Sequence, residues 1–215
     1  MRVKIKVCGI TDERDAIEAV YLGVDALGFV FSPGSPRTVT ARQAAAISSK
    51  LPPFVARVGV FSDEKPQAIV ETADSARLTA VQLHGDEPPA ACRCLPLPWY
   101  KTFRMTPGFA LERLSDYACT AYLIEGDPGE RGSGASPRAD WDLARAASRY
   151  GRVILSGGLT ASNVGRAIEH VRPYAVNVSG GVEFRPGVKD IEQLELFVAA
   201  VRRTEQSLAL REQDR

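Results

Sequence analysis

The sequence has few of the residues that most often bind metals: two histidines, His84 and His170, and four cysteines. Cys92 and Cys94 have no second pair at the spacing of a zinc site, so a bound zinc ion is not expected. Because we find no secretion signal, we expect the cysteines to be free thiols and not a disulfide framework.

Long apolar runs and an excess of one charge are also missing. No apolar run is long enough to cross a bilayer, so we expect a cytoplasmic protein that does not enter membranes. The 27 Lys and Arg residues nearly balance the 26 Asp and Glu residues, which predicts no general attraction to nucleic acid.

No low-complexity linker interrupts the 215 residues, which predicts one domain over residues 1–203 and a charged tail over 204–215.

Short apolar runs alternate with longer segments of helical character along the whole chain. Strands are predicted near Val3–Cys8, Ala26–Phe31, Ala56–Phe61, Ala80–His84, Trp99–Phe103, Ala121–Glu125, Val153–Ser156 and Ala175–Ser179. Helices are predicted near Asp12–Leu22, Ala41–Lys50, Lys65–Thr72, Glu87–Cys92, Phe109–Leu114, Trp141–Tyr150, Ser162–Val171 and Ile191–Arg203. Eight alternating units predict an α/β fold, a single (β/α)8 TIM barrel with a parallel sheet inside and helices outside.

The first predicted strand ends in a cysteine. Because side chains alternate along a strand, Cys8 shares a face with Lys6, whereas Ile5 and Val7 share the opposite, apolar face. A nearby cation favours the thiolate, which can act as a base or nucleophile. The alternative is that Cys8 is a small buried hydrophobic residue.

Catalytic groups of such barrels lie where the strands end. The strand ends bear Cys8, Phe31 followed by Ser32–Arg37, Phe61, His84, Arg104, Glu125 with Asp127, Ser156 and Ser179. Glu125 shares a strand face with Leu123, which is the interior face if Tyr122 and Ile124 meet the helices. This predicts a catalytic acid, and the alternatives are a solvated loop carboxylate or an ion-pair partner of Lys101 or Arg131.

Two neighbouring strand ends resemble each other. One continues into Gly157 and Gly158, and the other runs from Ser179 into Gly180 and Gly181. Paired glycines let the backbone approach a ligand, and exposed N–H groups near a helix N-terminus attract anions. The loops after strands seven and eight often bind phosphate in these barrels, so these five residues are predicted to bind a phosphate group.

Several segments share both their sequence and their order with one known family. They are Lys6-Val7-Cys8-Gly9-Ile10-Thr11, Gly28-Phe29-Val30-Phe31, Ser35-Pro36-Arg37, Val58-Gly59-Val60-Phe61, Val81-Gln82-Leu83-His84-Gly85, Ser156-Gly157-Gly158-Leu159, Asn163-Val164, Val178-Ser179, Gly181-Val182-Glu183, Pro186-Gly187 and Lys189-Asp190. Together they resemble the phosphoribosylanthranilate isomerases of tryptophan biosynthesis.

The resemblance implies an Amadori rearrangement of an aminoaldose phosphate to an aminoketose phosphate. It implies that Cys8 is the general base, that Arg37 contacts the anthranilate carboxylate and that His84 lines the pocket without transferring a proton. Because histidine is the usual acid or base near neutral pH, a catalytic His84 is the alternative. Opening the ribose and moving its carbonyl character requires one acid and one base, so no metal or redox cofactor is expected.

The sequence differs from the family pattern at several positions. Glu125 stands where the family has Asp, with Asp127 two residues later, so the residues leave open which carboxylate is the acid. Asn177 stands where the family has Asp, and we expect it to bind substrate through its amide. The glycine-rich loop appears as Arg131-Gly132-Ser133-Gly134, and Gly180 replaces a serine.

Two alternative functions are an isomerase or epimerase of another aminosugar phosphate and a non-catalytic phosphosugar-binding relative. The oligomeric state cannot be derived from the sequence.

Overall fold

Eight parallel strands pair in chain order and close into a barrel in which the last strand pairs with the first. The computed structural model describes residues 2–106, 108–126 and 139–213. The strands are β1 (Lys4–Cys8), β2 (Ala26–Val30), β3 (Ala56–Phe61), β4 (Ala80–Leu83), β5 (Trp99–Met105), β6 (Tyr122–Gly126), β7 (Val153–Leu155) and β8 (Ala175–Val178). The predicted (β/α)8 barrel is confirmed.

Helices follow the strands and cover the outside of the barrel. They are α1 (Glu13–Tyr21), α2 (Ala41–Ser48), α3 (Pro66–Ser75), α4 (Pro89–Cys92), α5 (Trp141–Ala147), α6 (Val164–Val171) and α7 (Ile191–Gln213). The Asp12 side chain caps α1, and Thr40 forms a capping box with Gln43 at the start of α2. Among the described residues, no helix has both the length and the apolar character needed to cross a membrane.

The helix predicted near residues 109–114 is a 3₁₀ helix at Leu111–Asp116. Leu114 is fully buried and anchors this segment to the core. The described part of the connection from Met105 to Tyr122 therefore crosses this side of the barrel with a 3₁₀ helix and no α-helix.

The last helix is longer than the sequence pattern predicts. It continues through Gln213, ten residues beyond the end predicted at Arg203. Leu208 is buried, and Arg211 faces Glu169 of α6 with 3.4 Å between Nη1 and Oε1. Seven of the ten residues from 204 to 213 are polar or charged, so the sequence pattern did not reveal that Leu208 is buried.

We expect Leu208→Ala to lower the free energy of unfolding by about 2–3 kcal/mol, because a large buried side chain is lost. Leu210, two residues later, is 63% exposed, so Leu210→Ala should change the stability by less than about 0.5 kcal/mol. Urea unfolding of both variants measures the difference. Equal stability of the two variants would show that the end of α7 does not contribute to the fold.

The barrel interior changes from apolar at its amino end to polar at its carboxyl end. A buried cluster fills the amino end and consists of Val58, Tyr100, Ala121, Leu123, Ile154 and Ala175. Above it lie Lys6, Gln82 and Asn177, which hydrogen-bond across the interior. Ile5 and Val7 pack in the outer core beneath the helices. The predicted faces of the first and sixth strands are therefore confirmed.

A small antiparallel hairpin that the sequence pattern did not predict follows β8. Its strands are β9 (Glu183–Arg185) and β10 (Val188–Lys189), and the turn contains Gly187 with φ +83°. The Thr11 hydroxyl donates to the Gly187 carbonyl oxygen at 2.5 Å, which ties the hairpin to the end of β1. The hairpin thus delivers Glu183 and Lys189 to the carboxyl end of the barrel.

Candidate active site

A cavity of about 260 Å³ opens at the carboxyl ends of the strands. Its walls contain predicted residues from six places in the chain: Cys8, Arg37, His84, Glu125, Asn177 and Ser179. All four cysteines are free thiols, and Cys8 is the one in this cavity. Cys8 enters from β1 and Glu125 from β6, so a thiol and a carboxyl group face the same space.

Cys8 lies at the tip of β1, where the neighbouring strand provides room for it. A Cβ atom at Gly28 of β2 would lie 2.8 Å from the Cys8 sulfur and 2.9 Å from Nζ of Lys6. Only glycine fits at this position. Nζ of Lys189 donates to the Cys8 carbonyl oxygen at 2.6 Å, and the Ser179 hydroxyl donates to it at 3.1 Å. These contacts fix the end of β1 and leave the thiol directed at the cavity.

Asn177 lies deeper in the barrel and belongs to the buried polar layer. Its Oδ1 accepts a hydrogen bond from Nζ of Lys6 at 2.8 Å, and its Nδ2 donates to the Ser156 hydroxyl at 2.9 Å. Within the described part of the chain, no carboxylate oxygen lies within 4.0 Å of the Lys6 ammonium. Neutral amides thus hold this cation.

Glu125 faces two basic groups with the same oxygen. Oε1 lies 3.4 Å from Nε2 of His84 and 3.5 Å from Nε of Arg104. Burial is the largest effect on His84 and lowers its pKa, against the opposing charge of Glu125. His84 is therefore neutral near pH 7, and the interaction with Glu125 is that of a neutral imidazole with a carboxyl group.

Arg37 is held by a carboxylate from the hairpin. Its Nε and Nη2 donate to the two oxygens of Glu183 at 2.9 Å and 2.6 Å, and Nζ of Lys189 lies 2.7 Å from Oε1. Burial alone would raise the pKa of Glu183, but the hydrogen bond from Arg37 and the charge of Lys189 lower it. Arg37 crosses Gly9, where a Cβ atom would lie 2.4 Å from its Cδ, so its guanidinium is fixed at the cavity wall.

A second cavity, of about 230 Å³, adjoins the first and is formed by the two glycine loops. Gly157 and Gly158 have φ of +91° and +60°, a region that other residues rarely adopt. A Cβ atom at Gly181 would lie 1.9 Å from the Leu159 carbonyl oxygen, so the loops can approach each other only with glycine there. Asn163, just before α6, accepts from the Thr160 N–H and donates to the Gly158 carbonyl, which fixes the first loop.

The sequence matches the protein family described as N-(5'-phosphoribosyl)anthranilate (PRA) isomerase over residues 5–200. This chain belongs to that family. It is 45% identical over 196 residues to N-(5'-phosphoribosyl)anthranilate isomerase of Geobacter sulfurreducens, which covers 91% of this chain and 97% of the relative.

Solved structures of the family share the fold. The phosphoribosylanthranilate isomerase of Thermotoga maritima is 41% identical, with a TM-score of 0.87 over 93% of this chain and 98% of that one. A crystal structure of phosphoribosyl anthranilate isomerase in complex with reduced 1-(o-carboxyphenylamino)-1-deoxyribulose 5-phosphate is 39% identical, with a TM-score of 0.84 and the same coverage.

Most of the predicted site residues lie together at one end of the barrel. The five residues predicted to bind phosphate line the second cavity, and the first is lined by Cys8, Arg37, His84, Glu125 and Asn177. Asp127 and the segment Arg131-Gly132-Ser133-Gly134 lie outside the described residues. The roles of the candidates in catalysis and binding stay predictions.

Three residues that shape the site were not predicted from the sequence. Gln82 is a buried polar residue between Val81 and Leu83, and its position on the interior face could have been predicted from strand alternation. Glu183 and Lys189 flank a Pro-Gly turn just after the last strand. The sequence feature that could have indicated them is a pair of opposite charges on either side of this turn. No sequence pattern connects that pair with Arg37.

Proposed function

We propose that this protein converts N-(5'-phosphoribosyl)anthranilate to 1-(2-carboxyphenylamino)-1-deoxyribulose 5-phosphate, the Amadori step of tryptophan biosynthesis. The observation that carries the proposal is that Cys8 and Glu125 face one cavity beside the paired glycine loops. The substrate has a sugar that needs an acid and a base at its reactive end and a phosphate at the other. The two cavities match these two ends.

The chemistry needs two proton transfers from this site. Glu125, in its protonated form, gives a proton to the ring oxygen while the nitrogen lone pair expels that oxygen, which yields an open-chain protonated imine. The Cys8 thiolate then removes the proton from C2, and the electron pair of that C–H bond forms the double bond of an enolamine. Loss of the proton from the C2 hydroxyl and gain of one at C1 gives the ketone. The product is an isomer of the substrate, so no electrons are exchanged with another molecule.

The phosphate group would bind the backbone N–H groups of the two glycine loops. The first of these loops leads into the amino end of α6, where the helix dipole favours an anion. Ser179 also lines this cavity, where its hydroxyl holds the second loop against the end of β1 by donating to the Cys8 carbonyl oxygen. This arrangement supports the predicted roles of Gly157, Gly158, Gly180 and Gly181.

Arg37 would bind the carboxylate of the anthranilate ring. Glu183 takes up Nε and Nη2, and among the described residues none hydrogen-bonds Nη1 of Arg37. The guanidinium thus presents one free edge to the cavity while its other edge is held rigid. A preoriented cation of this kind binds a carboxylate without first having to be ordered.

Complementation of a tryptophan auxotroph that lacks this isomerase tests the proposed function, with the purified protein assayed on the same substrate. Growth together with turnover is the expected result. If the protein instead turned over a different aminoaldose phosphate, its substrate would differ from the proposed one. If it bound the reduced product analogue tightly without any turnover, it would be a binding protein and not an enzyme.

The phosphate site makes a separate prediction. We expect Gly157→Val to raise KM roughly tenfold or more, because a branched side chain at positive φ displaces N–H groups, and each bond to a charged group contributes about 1.5–3 kcal/mol. Gly23 has φ +85° with nothing within 4 Å, so Gly23→Val strains the backbone equally, away from the site. Steady-state kinetics of both variants, and competition by inorganic phosphate, measure the effect. An unchanged KM in Gly157→Val would place the phosphate elsewhere.

A further inference from the structure

A chain of hydrogen bonds crosses the barrel interior and ends at His84. Nζ of Lys6 donates to Oε1 of Gln82 at 3.0 Å, and the Tyr100 hydroxyl donates to the same atom at 3.0 Å. An ammonium group has only donors, so the Gln82 atom that faces Lys6 must be the amide oxygen. The two ends of an amide are otherwise hard to distinguish, but here the lysine determines which end is which.

The other end of the same amide determines the protonation of His84. Nε2 of Gln82 lies 3.1 Å from Nδ1 of His84 and 3.1 Å from the Thr102 hydroxyl oxygen. The amide nitrogen has two N–H groups and no acceptor, so Nδ1 of His84 accepts a hydrogen bond and carries no proton. The neutral ring must then carry its proton on Nε2, the atom 3.4 Å from Oε1 of Glu125.

We propose that Gln82 is a positioning residue that holds His84 as the neutral tautomer with its proton on Nε2, the ring nitrogen that lies 3.4 Å from Oε1 of Glu125. Nε of Arg104 faces the same oxygen at 3.5 Å. Among the described residues none forms a hydrogen bond or ion pair with Oε2 of Glu125, so we assign to Oε2 the proton that goes to the substrate. This last step rests on the proposed function, whereas the tautomer of His84 does not depend on the substrate.

A second proton on His84 would break the chain. A protonated Nδ1 would face an N–H group of Gln82, so two donors would meet at 3.1 Å. The electrostatic surroundings agree with a neutral ring: burial lowers the pKa of His84, and the carboxylate of Glu125 opposes this. Nearby cations lower the pKa further, namely Arg104, Lys6 and Lys101.

The substitution Gln82→Glu reverses the polarity of the contact with little change of shape. One carboxylate oxygen can still accept from Lys6 and Tyr100, but the other now faces Nδ1 of His84 with an acceptor. His84 must then carry a proton on Nδ1. Between two carboxyl groups it should gain this as a second proton and become an imidazolium, which would hold Glu125 in its ionised form, without a proton to donate.

Nitrogen-15 NMR of the histidine rings tests the tautomer directly, because the chain has only two histidines. His170 is on the surface, where Nε2 lies 2.7 Å from Oδ1 of Asp142, so His170→Gln removes the second signal without touching the site. In this background at neutral pH, we expect His84 to show a protonated Nε2 and an unprotonated Nδ1. In Gln82→Glu we expect a protonated Nδ1.

Kinetics give the second measurement. We expect Gln82→Glu to lower kcat roughly tenfold or more, since a general acid contributes at least about a hundredfold and part of that is lost, while KM changes less than about threefold. Thr102→Val is the matched control. It removes a buried hydrogen bond to the same amide nitrogen, so it should cost similar stability but leave the His84 tautomer unchanged.

Each outcome decides the proposal. An Nδ1 proton in the parent protein, or an unprotonated Nδ1 in Gln82→Glu, would overturn it. If Gln82→Glu does not fold, Gln82→Met must shift the Nδ1 resonance through loss of its donor, and an unmoved resonance would also overturn it. A parent protein with the expected tautomer but no activity on N-(5'-phosphoribosyl)anthranilate would refute the proposed function and leave the role of Gln82 intact.

Discussion

Cys8→Ala is expected to abolish turnover and to leave the affinity for substrate within a few fold of the parent value. A base exchanges a proton only on the way to the transition state, so its loss lowers kcat far more than it weakens binding. The change removes one sulfur atom from a residue that is 9% exposed, and the carbonyl contacts that fix the end of β1 involve the main chain. We therefore expect the site to keep its shape.

Steady-state kinetics measure the loss of turnover, and calorimetry with the reduced product analogue measures binding. Cys94 is an exposed thiol, so Cys94→Ala controls for general effects of removing a cysteine and should have full activity. Most activity remaining in Cys8→Ala would show that another group removes the C2 proton and that Cys8 is only a small hydrophobic wall of the cavity.

The second large effect is expected at Glu125. Glu125→Gln keeps the shape of the side chain but cannot give up a proton, so we expect at least about a hundredfold loss in kcat, the low end of what a general acid contributes. Asp127→Asn should lose much less, because Glu125 is the carboxyl group that β6 delivers to the cavity. The reverse ranking would show that the acid is Asp127.

Glu125→Asp separates the effect of side-chain length from the effect of the carboxyl group's acidity. Glu and Asp have similar reference pKa values, about 4.3 and 3.9, so their proton donation differs little in isolation. Shortening the side chain withdraws the carboxyl group from His84 and Arg104, which now lie 3.4 Å and 3.5 Å from Oε1. We expect a lower rate than for the parent. A higher rate would mean that the backbone of β6 already suits the shorter acid.

Strand alternation predicted much of the site from the sequence. The two-residue period placed Cys8 with Lys6 and Glu125 with Leu123 on the inner face, because one face of each strand must be apolar to meet the helices. Adjacent parallel strands end at the same rim, so the resemblance of the two glycine loops was enough to predict that they meet. These inferences need only local periodicity and topology.

The parts that could not be predicted depend on contacts between distant segments. Glu183 becomes part of the site because a hairpin folds back against β1 and brings its carboxylate to Arg37, 146 positions away in sequence. The end of α7 looks like a solvated tail in the sequence because its attachments, the burial of Leu208 and the ion pair of Arg211 with Glu169, form only in the folded protein. Gln82 gains its role only from the lysine and the histidine on either side of its amide.

The seam between β1 and β8 has a consequence for how the chain gains activity as it is made. Cys8 stands on one side of that seam and the second glycine loop on the other, joined by the pairing of Lys6 with Asn177. During synthesis on the ribosome, Cys8 is therefore present early. The pocket is complete only after β8 has emerged and has paired with β1. Any fragment that stops before residue 175 should neither bind nor convert a phosphosugar. The two halves of the pocket meet only when the barrel closes.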